Sequence, residues 1–255
     1  MILFSIIEIL LGGLKMSKIN VLEVFFDFSG KSDAIYPVIL EDENEMILID
    51  CGYPNFLSLV EEAALAKKIN IKNLSKIIIT HHDYDHMGAL AEFKRKYPKV
   101  KVLASEEDAP YIDGSKKSLR LQQAENIYDS LSENEKIEAD YFHKILQSVE
   151  SCNVDIKLKD REYFDYCGGI EIISTPGHMP GHISIYHKES KSLITGDALV
   201  VENGELVIAV PQYTLDMKEA QNSVKKFLDY DIERIICYHG GIFENEIRDA
   251  LKRVF

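Results

Sequence analysis

The sequence predicts an α/β protein built from two halves, each of which runs from β-strands into helices. Two observations support this fold class. From Ile19 onward, short apolar segments bounded by turn residues alternate with longer amphipathic segments. In addition, 46% of the 255 residues are hydrophobic and 28% are charged, which is typical of globular proteins and excludes collagen-like and disordered chains. At this length we expect one large α/β domain with additions.

The first half begins with strands and then alternates strands with helices. Strands are predicted at 19–28, 34–40, 46–49, 76–80 and 100–104. The segment 76–80 (KIIIT) is apolar throughout, so we expect it to be buried on both faces. Helices are predicted from Pro54 to about Asn70, where proline suits the first turn, and from His86 to about Tyr97.

A polar, helix-favouring segment at about 106–158 separates the halves. Its apolar residues recur at helical spacing, which predicts two amphipathic helices and an insertion in the domain. The second half is predicted to resume with strands and to end in helices. Strands are expected at 154–158, 170–174, 183–186, 193–195, 206–210 and 232–238, and helices at 216–228 and from Phe243.

An apolar segment at 1–14 (MILFSIIEILLGGL) precedes a second methionine, Met16. It is shorter than the about 20 residues that span a bilayer. It contains Glu8 and lacks the basic start and small-residue cleavage site of a signal peptide. We therefore predict that 1–15 is a dispensable or wrongly assigned leader and that 16–255 is the domain. A short amphipathic helix that packs on the body or a partner is the alternative.

The chain is acidic, with 42 Asp and Glu against 29 Lys and Arg and a net charge of −13. Such a surface repels phosphate backbones, so we expect no nucleic-acid partner. No membrane partner is expected either. The four cysteines, Cys51, Cys152, Cys167 and Cys237, form no C-x-x-C pair, which favours free thiols in the cytoplasm.

Potential metal ligands follow four of the predicted strands. Because α/β sheets gather ligand sites at the carboxyl ends of strands, we expect these side chains to converge. Imidazole and carboxylate groups are ligands of zinc, manganese and iron, and four histidines with three aspartates suffice for two ions. The predicted ligands are His81, Asp83, Asp85, His86, His178, Asp197 and His239.

The spacing of the ligands within 81–86 assigns them to different ions. His81 and Asp83 are two residues apart in extended chain, so they point to the same side and can hold one cation. Asp85 and His86 follow where the chain turns into a helix, and can reach a second cation. Asp197 has two carboxylate oxygens and can bridge both.

The motifs H-x-D-x-D-H, T-P-G-H-x-P-G-H, T-G-D and a late H-G resemble those of the metallo-β-lactamase fold superfamily. Asp50, at the end of a strand and two residues before Gly52, fits the first motif of that family. The resemblance runs from about Ile19 to the C-terminus, apart from the insertion. It implies a four-layer αβ/βα sandwich with the active site at one edge of the sheets. We expect the helical insertion to act as a lid.

The resemblance also implies a ligand set for each of two divalent ions. One set is His81, Asp83, His178 and Asp197, and the other is Asp85, His86, Asp197 and His239. Asp83 departs from the usual H-x-H-x-D-H pattern and is similar to the glutamate of flavodiiron oxygen reductases. Zinc is the first expectation from the family, whereas the extra carboxylate moves the preference toward iron or manganese. His82 is not predicted as a ligand, because only the His81 register keeps Asp85 and His86 in place.

The expected activity is hydrolysis of a small ester, lactone or thioester by a hydroxide that bridges two metal ions, with Asp85 as the catalytic proton carrier. The alternatives are a diiron or mononuclear iron redox protein, flavodiiron-like or persulfide dioxygenase-like, and a small-molecule phosphodiesterase. Among the other candidates, we expect His182 to support the site by hydrogen bonding, His143 to be an ordinary helix residue and His187 to be solvated at a turn. Tyr111 is a weaker candidate for positioning substrate.

Overall fold

Two mixed β-sheets face each other in the computed structural model of the protein, which describes residues 17–28, 30–208 and 211–255. The predicted leader at 1–15 lies outside the described residues. The strands are β1 (Lys18–Val21), β2 (Val24–Phe28), β3 (Lys31–Ile35), β4 (Val38–Glu41), β5 (Met46–Ile49), β6 (Lys76–Ile78), β7 (Lys101–Ser105), β8 (Ile156–Leu158), β9 (Tyr163–Phe164), β10 (Ile170–Ser174), β11 (Ile183–His187), β12 (Ser192–Ile194), β13 (Leu199–Glu202), β14 (Glu205–Ile208), β15 (Arg234–Cys237) and β16 (Gly241–Phe243). The α-helices are α1 (Leu57–Ala66), α2 (Tyr84–Met87), α3 (Leu90–Lys96), α4 (Ala109–Ile112), α5 (Leu119–Tyr128), α6 (Glu133–Ser148), α7 (Met217–Lys225) and α8 (Ile247–Arg253).

The strand order of the first sheet is β1-β4-β5-β6-β7-β8, and that of the second is β16-β15-β12-β11-β10-β9. Strands β5 to β8 are parallel to one another, as are β12 and β15, and the other neighbours are antiparallel. Two antiparallel ribbons, β2–β3 and β13–β14, lie outside these sheets. Among the described residues, no helix is long and apolar enough to cross a membrane.

Alternating side chains along the buried strands divide the core into layers. In β5, Leu48 joins a cluster with Val60 of α1 and Phe93 of α3, whereas Ile47 and Ile49 join a cluster between the two sheets. This alternation follows from the period of two in a β-strand. The second sheet packs its outer face on α7 and α8 through a third cluster. The result is a helix–sheet–sheet–helix order, which confirms the predicted four-layer α/β fold.

Two segments that were predicted as single strands are each divided in two. Residues 19–28 form β1 and β2, and residues 34–40 form β3 and β4. Pro37 lies at the second break and has no amide hydrogen to continue the ladder, while its carbonyl accepts a 2.8 Å hydrogen bond from the Leu22 amide at the first break. The chain therefore leaves the first sheet at both points and forms the β2–β3 ribbon.

The helix predicted at 86–97 is broken at Gly88. The amide of Ala89 donates to the carbonyl of Gly52, and a Cβ atom at position 88 would lie 2.3 Å from the backbone nitrogen of Pro54. Only glycine permits this approach. The break lets the loop after β5 pack against the segment that carries the predicted ligands.

The segment 106–158 contains α4, α5 and α6, and α6 begins with a capping box formed by Ser132 and Glu135. The strand predicted at 154–158 was placed in the second half, and this was wrong. The observed strand β8 pairs in parallel with β7 and completes the first sheet. The predicted terminal helix also starts later than expected, because Phe243 ends β16 and α8 begins at Ile247.

Candidate metal centre

The seven predicted ligands meet at the carboxyl ends of strands from both sheets. The segment from His81 to His86 follows β6, His178 follows β10, Asp197 follows β12 and His239 follows β15. Their nitrogen and oxygen atoms form three groups in which all candidate ligand atoms lie within 4.8 Å of one another. The groups are His81, Asp83 and His178; His81, His86 and Asp197; and Asp85, His86 and His239.

The first cluster consists of His81, Asp83 and His178. Oxygen Oδ2 of Asp83 lies 3.1 Å from Nε2 of His178 and 3.5 Å from Nε2 of His81. All three side chains are at most 5% exposed. The ligand atoms therefore face one another in a nearly dry environment.

The second cluster consists of Asp85, His86 and His239. Oxygen Oδ2 of Asp85 lies 3.2 Å from Nε2 of His239 and 3.6 Å from Nε2 of His86. His86 is fully buried, whereas the His239 side chain is 32% exposed. This cluster therefore forms the more open side of the centre.

Asp197 lies between the two clusters. Its Oδ1 is 3.2 Å from Nε2 of His86 and 3.7 Å from Nε2 of His239, and its Oδ2 is 3.6 Å from Nε2 of His178. Each carboxylate oxygen thus faces a different cluster. This is the placement that a bridging ligand requires.

Three of the convergent atoms are buried and make no hydrogen bond: Nε2 of His81, Nε2 of His86 and Oδ1 of Asp197. The last two lie 3.2 Å apart but lack hydrogen-bond geometry. A buried polar atom without a partner is costly, and a bound cation would satisfy all three. Imidazole nitrogens and carboxylate oxygens are suitable donors for divalent metals, so the residues fit such ions.

The charges around His86 also favour a cation. Burial alone would lower the pKa of His86, but the carboxylates of Asp197, Asp85 and Asp50 raise it well above its usual value. Burial would likewise raise the pKa of Asp197, yet His86 and His239 hold it well below its usual range. The pocket of carboxylates thus stabilises positive charge at this position.

Asp50 orients His86 from behind. Its Oδ1 accepts a 2.8 Å hydrogen bond from the amide of Thr80, and its Oδ2 accepts one from the Thr80 hydroxyl. The same Oδ2 lies 2.9 Å from Nδ1 of His86. These contacts leave Nε2 of His86 as the nitrogen that faces the other candidate ligands.

His182 lies beside the centre, with its ring centroid 4.9 Å from that of His81, and its hydrogen bond to the centre is to a backbone group. Its Nδ1 lies 2.8 Å from the hydroxyl of Thr175, and its Nε2 accepts a 2.9 Å hydrogen bond from the amide of Asp197. Burial lowers the pKa of His182 to about 3, which keeps the ring neutral and Nε2 able to accept. These contacts place His182 as a support of Asp197, in the arrangement that was expected for it.

A cavity of about 570 Å³ opens onto the centre. Tyrosines line much of its wall. Tyr84 lies between the predicted ligands Asp83 and Asp85, whereas Tyr36, Tyr53 and Tyr213 were missed in the sequence because they come from distant parts of the chain. Burial raises the pKa values of Tyr53 and Tyr84, so their phenols stay protonated and can donate hydrogen bonds. The polar and aromatic side chains at the wall outside the seven ligands are Asp33, Tyr36, Tyr53, Tyr84, Arg120, Glu202 and Tyr213.

The insertion contacts the segment that carries the first candidate ligands at two adjacent residues, His82 and Asp83. The guanidinium of Arg120, on α5, donates to both oxygens of Asp83 at 3.1 and 2.6 Å. Oxygen Oδ2 of Asp108 accepts from the amide of His82 at 2.7 Å and lies 2.9 Å from its Nδ1. Neither contact was predicted, although Arg120 is the only arginine in the segment 106–158 and was therefore an available signal.

The remaining candidates lie outside the cluster of seven. Tyr111 stacks on the ring of His82, with 4.4 Å between the ring centroids, and is absent from the wall of the main cavity. His143 lies on α6, beside Tyr128. The expectation that His187 is solvated was wrong. It ends the buried strand β11 and is fully buried, with its Nδ1 2.8 Å from the hydroxyl of Ser190.

Comparisons with known proteins agree with this geometry. A probable metallo-hydrolase, YybB, of Bacillus subtilis (strain 168) is 24% identical over 207 residues, which cover 81% of this chain and 80% of the relative. Hydroxyacylglutathione hydrolase GloC of Haemophilus influenzae is 28% identical over 172 residues, which cover 64% of this chain and 65% of that protein.

The fold is similar to the crystal structure of a metallo-beta-lactamase family protein from Thermus thermophilus. The TM-score is 0.70 at 19% identity, over 92% of this chain and 77% of that chain. Residues 33–239 also match the family described as the Metallo-beta-lactamase superfamily. The chain therefore belongs to the metallo-beta-lactamase superfamily, as a metallohydrolase.

Proposed function

We propose that the protein is a dinuclear metal-dependent hydrolase of small esters, lactones or thioesters. The observation that carries this proposal is the position of Asp197, whose two oxygens face two separate clusters of histidine and aspartate. His81, Asp83 and His178 would hold one ion, Asp85, His86 and His239 the other, and Asp197 would contact both. Bound divalent ions lower the pKa of water and polarise carbonyl oxygens. Zinc is the first candidate, followed by iron and manganese.

Asp85 is the candidate proton carrier. Its side chain is 12% exposed and lines the cavity. The hydroxyl of Tyr238 donates a 2.6 Å hydrogen bond to the backbone carbonyl of Asp85, which holds the loop in place. A carboxylate so placed can accept a proton from the attacking water and return it to the leaving group.

The charges of the side chains at the cavity wall favour a carbonyl substrate rather than a phosphodiester. Arg120 is the one arginine or lysine among the described wall residues, and Asp83 already engages its guanidinium. Asp33 and Glu202 add negative charge at the wall. Apart from the metal ions, a phosphodiester would meet these carboxylates without a free lysine or arginine side chain to pair with. The protonated phenols of Tyr53 and Tyr84 instead suit the oxygens of a neutral ester or lactone.

The cellular location belongs to the proposal as well. The described cysteines Cys51, Cys152, Cys167 and Cys237 are all free and buried. This supports a reducing compartment, for which we propose the cytoplasm.

A substrate panel tests the proposed activity. The panel contains lactones, thioesters including a hydroxyacylglutathione, simple esters and bis-nitrophenyl phosphate, each measured with metal-loaded protein. We expect hydrolysis of at least one carbonyl substrate, and loss of both this activity and bound metal in Asp197→Ala. Hydrolysis of the phosphodiester alone, or one tightly held iron with no hydrolysis, would support the alternative functions. Retention of metal and activity by Asp197→Ala would contradict the bridging role.

A further inference from the structure

The ion pair between Arg120 and Asp83 joins the insertion to one half of the metal centre. Both side chains are buried, at 3% and 5% exposure, and the shortest contact is 2.6 Å between Nη2 of Arg120 and Oδ2 of Asp83. Oδ2 is also the oxygen that faces Nε2 of His81 and of His178. The guanidinium therefore contacts the very atom that a metal ion in the first cluster would use.

The charge of Arg120 is held in place from three directions. Besides Asp83, the guanidinium donates to Oε1 of Gln123 at 2.7 Å and to the backbone carbonyl of Tyr213 at 2.8 Å. It also lies over the ring of Tyr213, at 5.4 Å from the centroid. Turning the guanidinium away from Asp83 would break these contacts in a buried site, which is costly.

The second cluster has no equivalent cation. Among the ion pairs of the described residues, Asp85 pairs only with His86 and His239, and no lysine or arginine contacts it. The two clusters thus offer similar ligands, but only one of them has a fixed positive charge on its carboxylate.

We propose that Arg120 makes the two metal sites unequal. The site formed by Asp85, His86 and His239 binds its ion first and more tightly. The site formed by His81, Asp83 and His178 binds second and more weakly, because the buried guanidinium repels the ion and shares its carboxylate ligand. The inference rests on the proposed dinuclear centre and adds to it an order of loading that is set by the insertion.

Stepwise titration of metal-stripped protein with Zn²⁺ tests this, with native mass spectrometry to count ions and calorimetry to measure affinities. The wild-type chain should show one tight and one weak step. Arg120→Gln removes the charge and should tighten the weak step by about tenfold or more. Arg120→Lys keeps the charge but loses the bidentate contact with Asp83. The Zn²⁺ affinities of both steps should therefore stay close to those of the wild-type chain. If orientation of Asp83 mattered more than charge, both variants would weaken the second step, and the proposal would fall.

Three further variants assign the steps and control for general effects. His239→Ala should abolish the tight step, whereas His178→Ala should abolish the weak step and keep the tight one; the reverse pattern overturns the proposal. Arg95→Gln breaks an exposed two-pronged pair with Glu150, at 2.7 and 2.9 Å, and should change neither step.

If Arg120→Gln does not fold, the wild-type and His178→Ala titrations still test the inequality of the two sites and the order in which they fill. Two equal steps in the wild-type chain would refute the inequality and leave the dinuclear centre intact. Absence of binding of Zn²⁺, Mn²⁺ and Fe²⁺ alike would refute the proposed function itself.

Discussion

At the scale of single residues, Asp50 shows how a side chain outside the candidate ligand set orients one member of that set, His86. Its backbone has φ of 58°, a left-handed conformation that is unfavourable for most residues with a side chain. This conformation directs the carboxylate toward Thr80 and His86, where it accepts the hydrogen bonds described above. Because Asp50 engages Nδ1 of His86, Nε2 is the nitrogen that can face a metal ion.

Asp50→Asn tests this role with little change in size. Asparagine tolerates the left-handed backbone, but its amide cannot accept on both oxygen positions, so the hydrogen bond to His86 Nδ1 is lost. We expect metal affinity and the rate of hydrolysis to fall by roughly 10- to 100-fold, as is usual when the partner of a ligating histidine is removed. The measurement is Zn²⁺ affinity beside kcat/KM. Asp42→Asn is the control, because the Asp42 carboxylate accepts hydrogen bonds from backbone amides in a turn. Unchanged affinity in Asp50→Asn would exclude the positioning role.

The sequence predicted the residues whose position depends on local structure. An apolar strand that ends in a ligand is a local pattern, so the convergence of all seven candidates could be predicted from strand ends alone. Arg120 could not be found in this way, because its contact with Asp83 spans 37 positions and depends on how the insertion folds back. Tyr53 and Tyr213 of the cavity wall could not be found in this way either, because they come from opposite halves of the chain.

At the scale of secondary-structure elements, Asp155 joins the end of the insertion to the first sheet. Its Oδ2 accepts a 2.9 Å hydrogen bond from the amide of Val102 in β7, and it forms ion pairs with Lys94 and Lys101. These contacts place the chain for entry into β8, the edge strand that was assigned to the wrong half. The assignment failed because apolar periodicity identifies a strand without identifying the neighbour with which it pairs.

Asp155→Asn should destabilise the fold in a pH-dependent way. Burial would raise the pKa of Asp155, but the Val102 amide, Lys101 and Lys94 hold it below its ordinary value of 3.8. The ionised form therefore stabilises the folded state above pH 3.8, and this contribution disappears as the pH falls through the lower folded-state pKa. Since the side chain is partly exposed, we expect a loss of about 0.5–1 kcal/mol near neutral pH. Urea unfolding should show this difference shrinking in acid, and a constant difference would contradict the assignment.

The break in the helix predicted at 86–97 belongs to the same scale. Helical periodicity continues through Gly88, so the sequence pattern favoured one helix. The loop after β5 competes for the same backbone, because the amide of Cys51 donates to the carbonyl of His86 at 2.8 Å. A contact between segments that are distant in sequence thus overrides the local pattern.

At the scale of the whole molecule, the residues of the candidate metal centre come from both sheets. One group of candidate ligands follows β6 of the first sheet, and the others follow β10, β12 and β15 of the second. An ion bound between them would link both halves of the sandwich. Because such an ion binds the folded chain and a complete site does not exist in the unfolded one, its binding energy stabilises the fold.

Metal should therefore raise the melting temperature. At a free metal concentration of 100 times Kd, the expected gain is about 2.7 kcal/mol per site. For a domain of this size, each kcal/mol corresponds to a shift of about 2–4 °C. Scanning calorimetry of metal-stripped protein with and without Zn²⁺ measures the shift, and Asp197→Ala should lose most of it. Equal melting temperatures in the presence and absence of metal would contradict a site that bridges the sheets.

The central claim is that hydrolysis depends on divalent metal held by the seven converging residues. The most direct measurement is the hydrolysis of the best carbonyl substrate before chelation, after chelation to below about 0.05 equivalents of metal, and after addition of Zn²⁺, Mn²⁺ or Fe²⁺. We predict loss of activity with the metal and recovery as up to two equivalents per chain return, with no recovery in Asp197→Ala. Full activity in the metal-free protein would contradict the account.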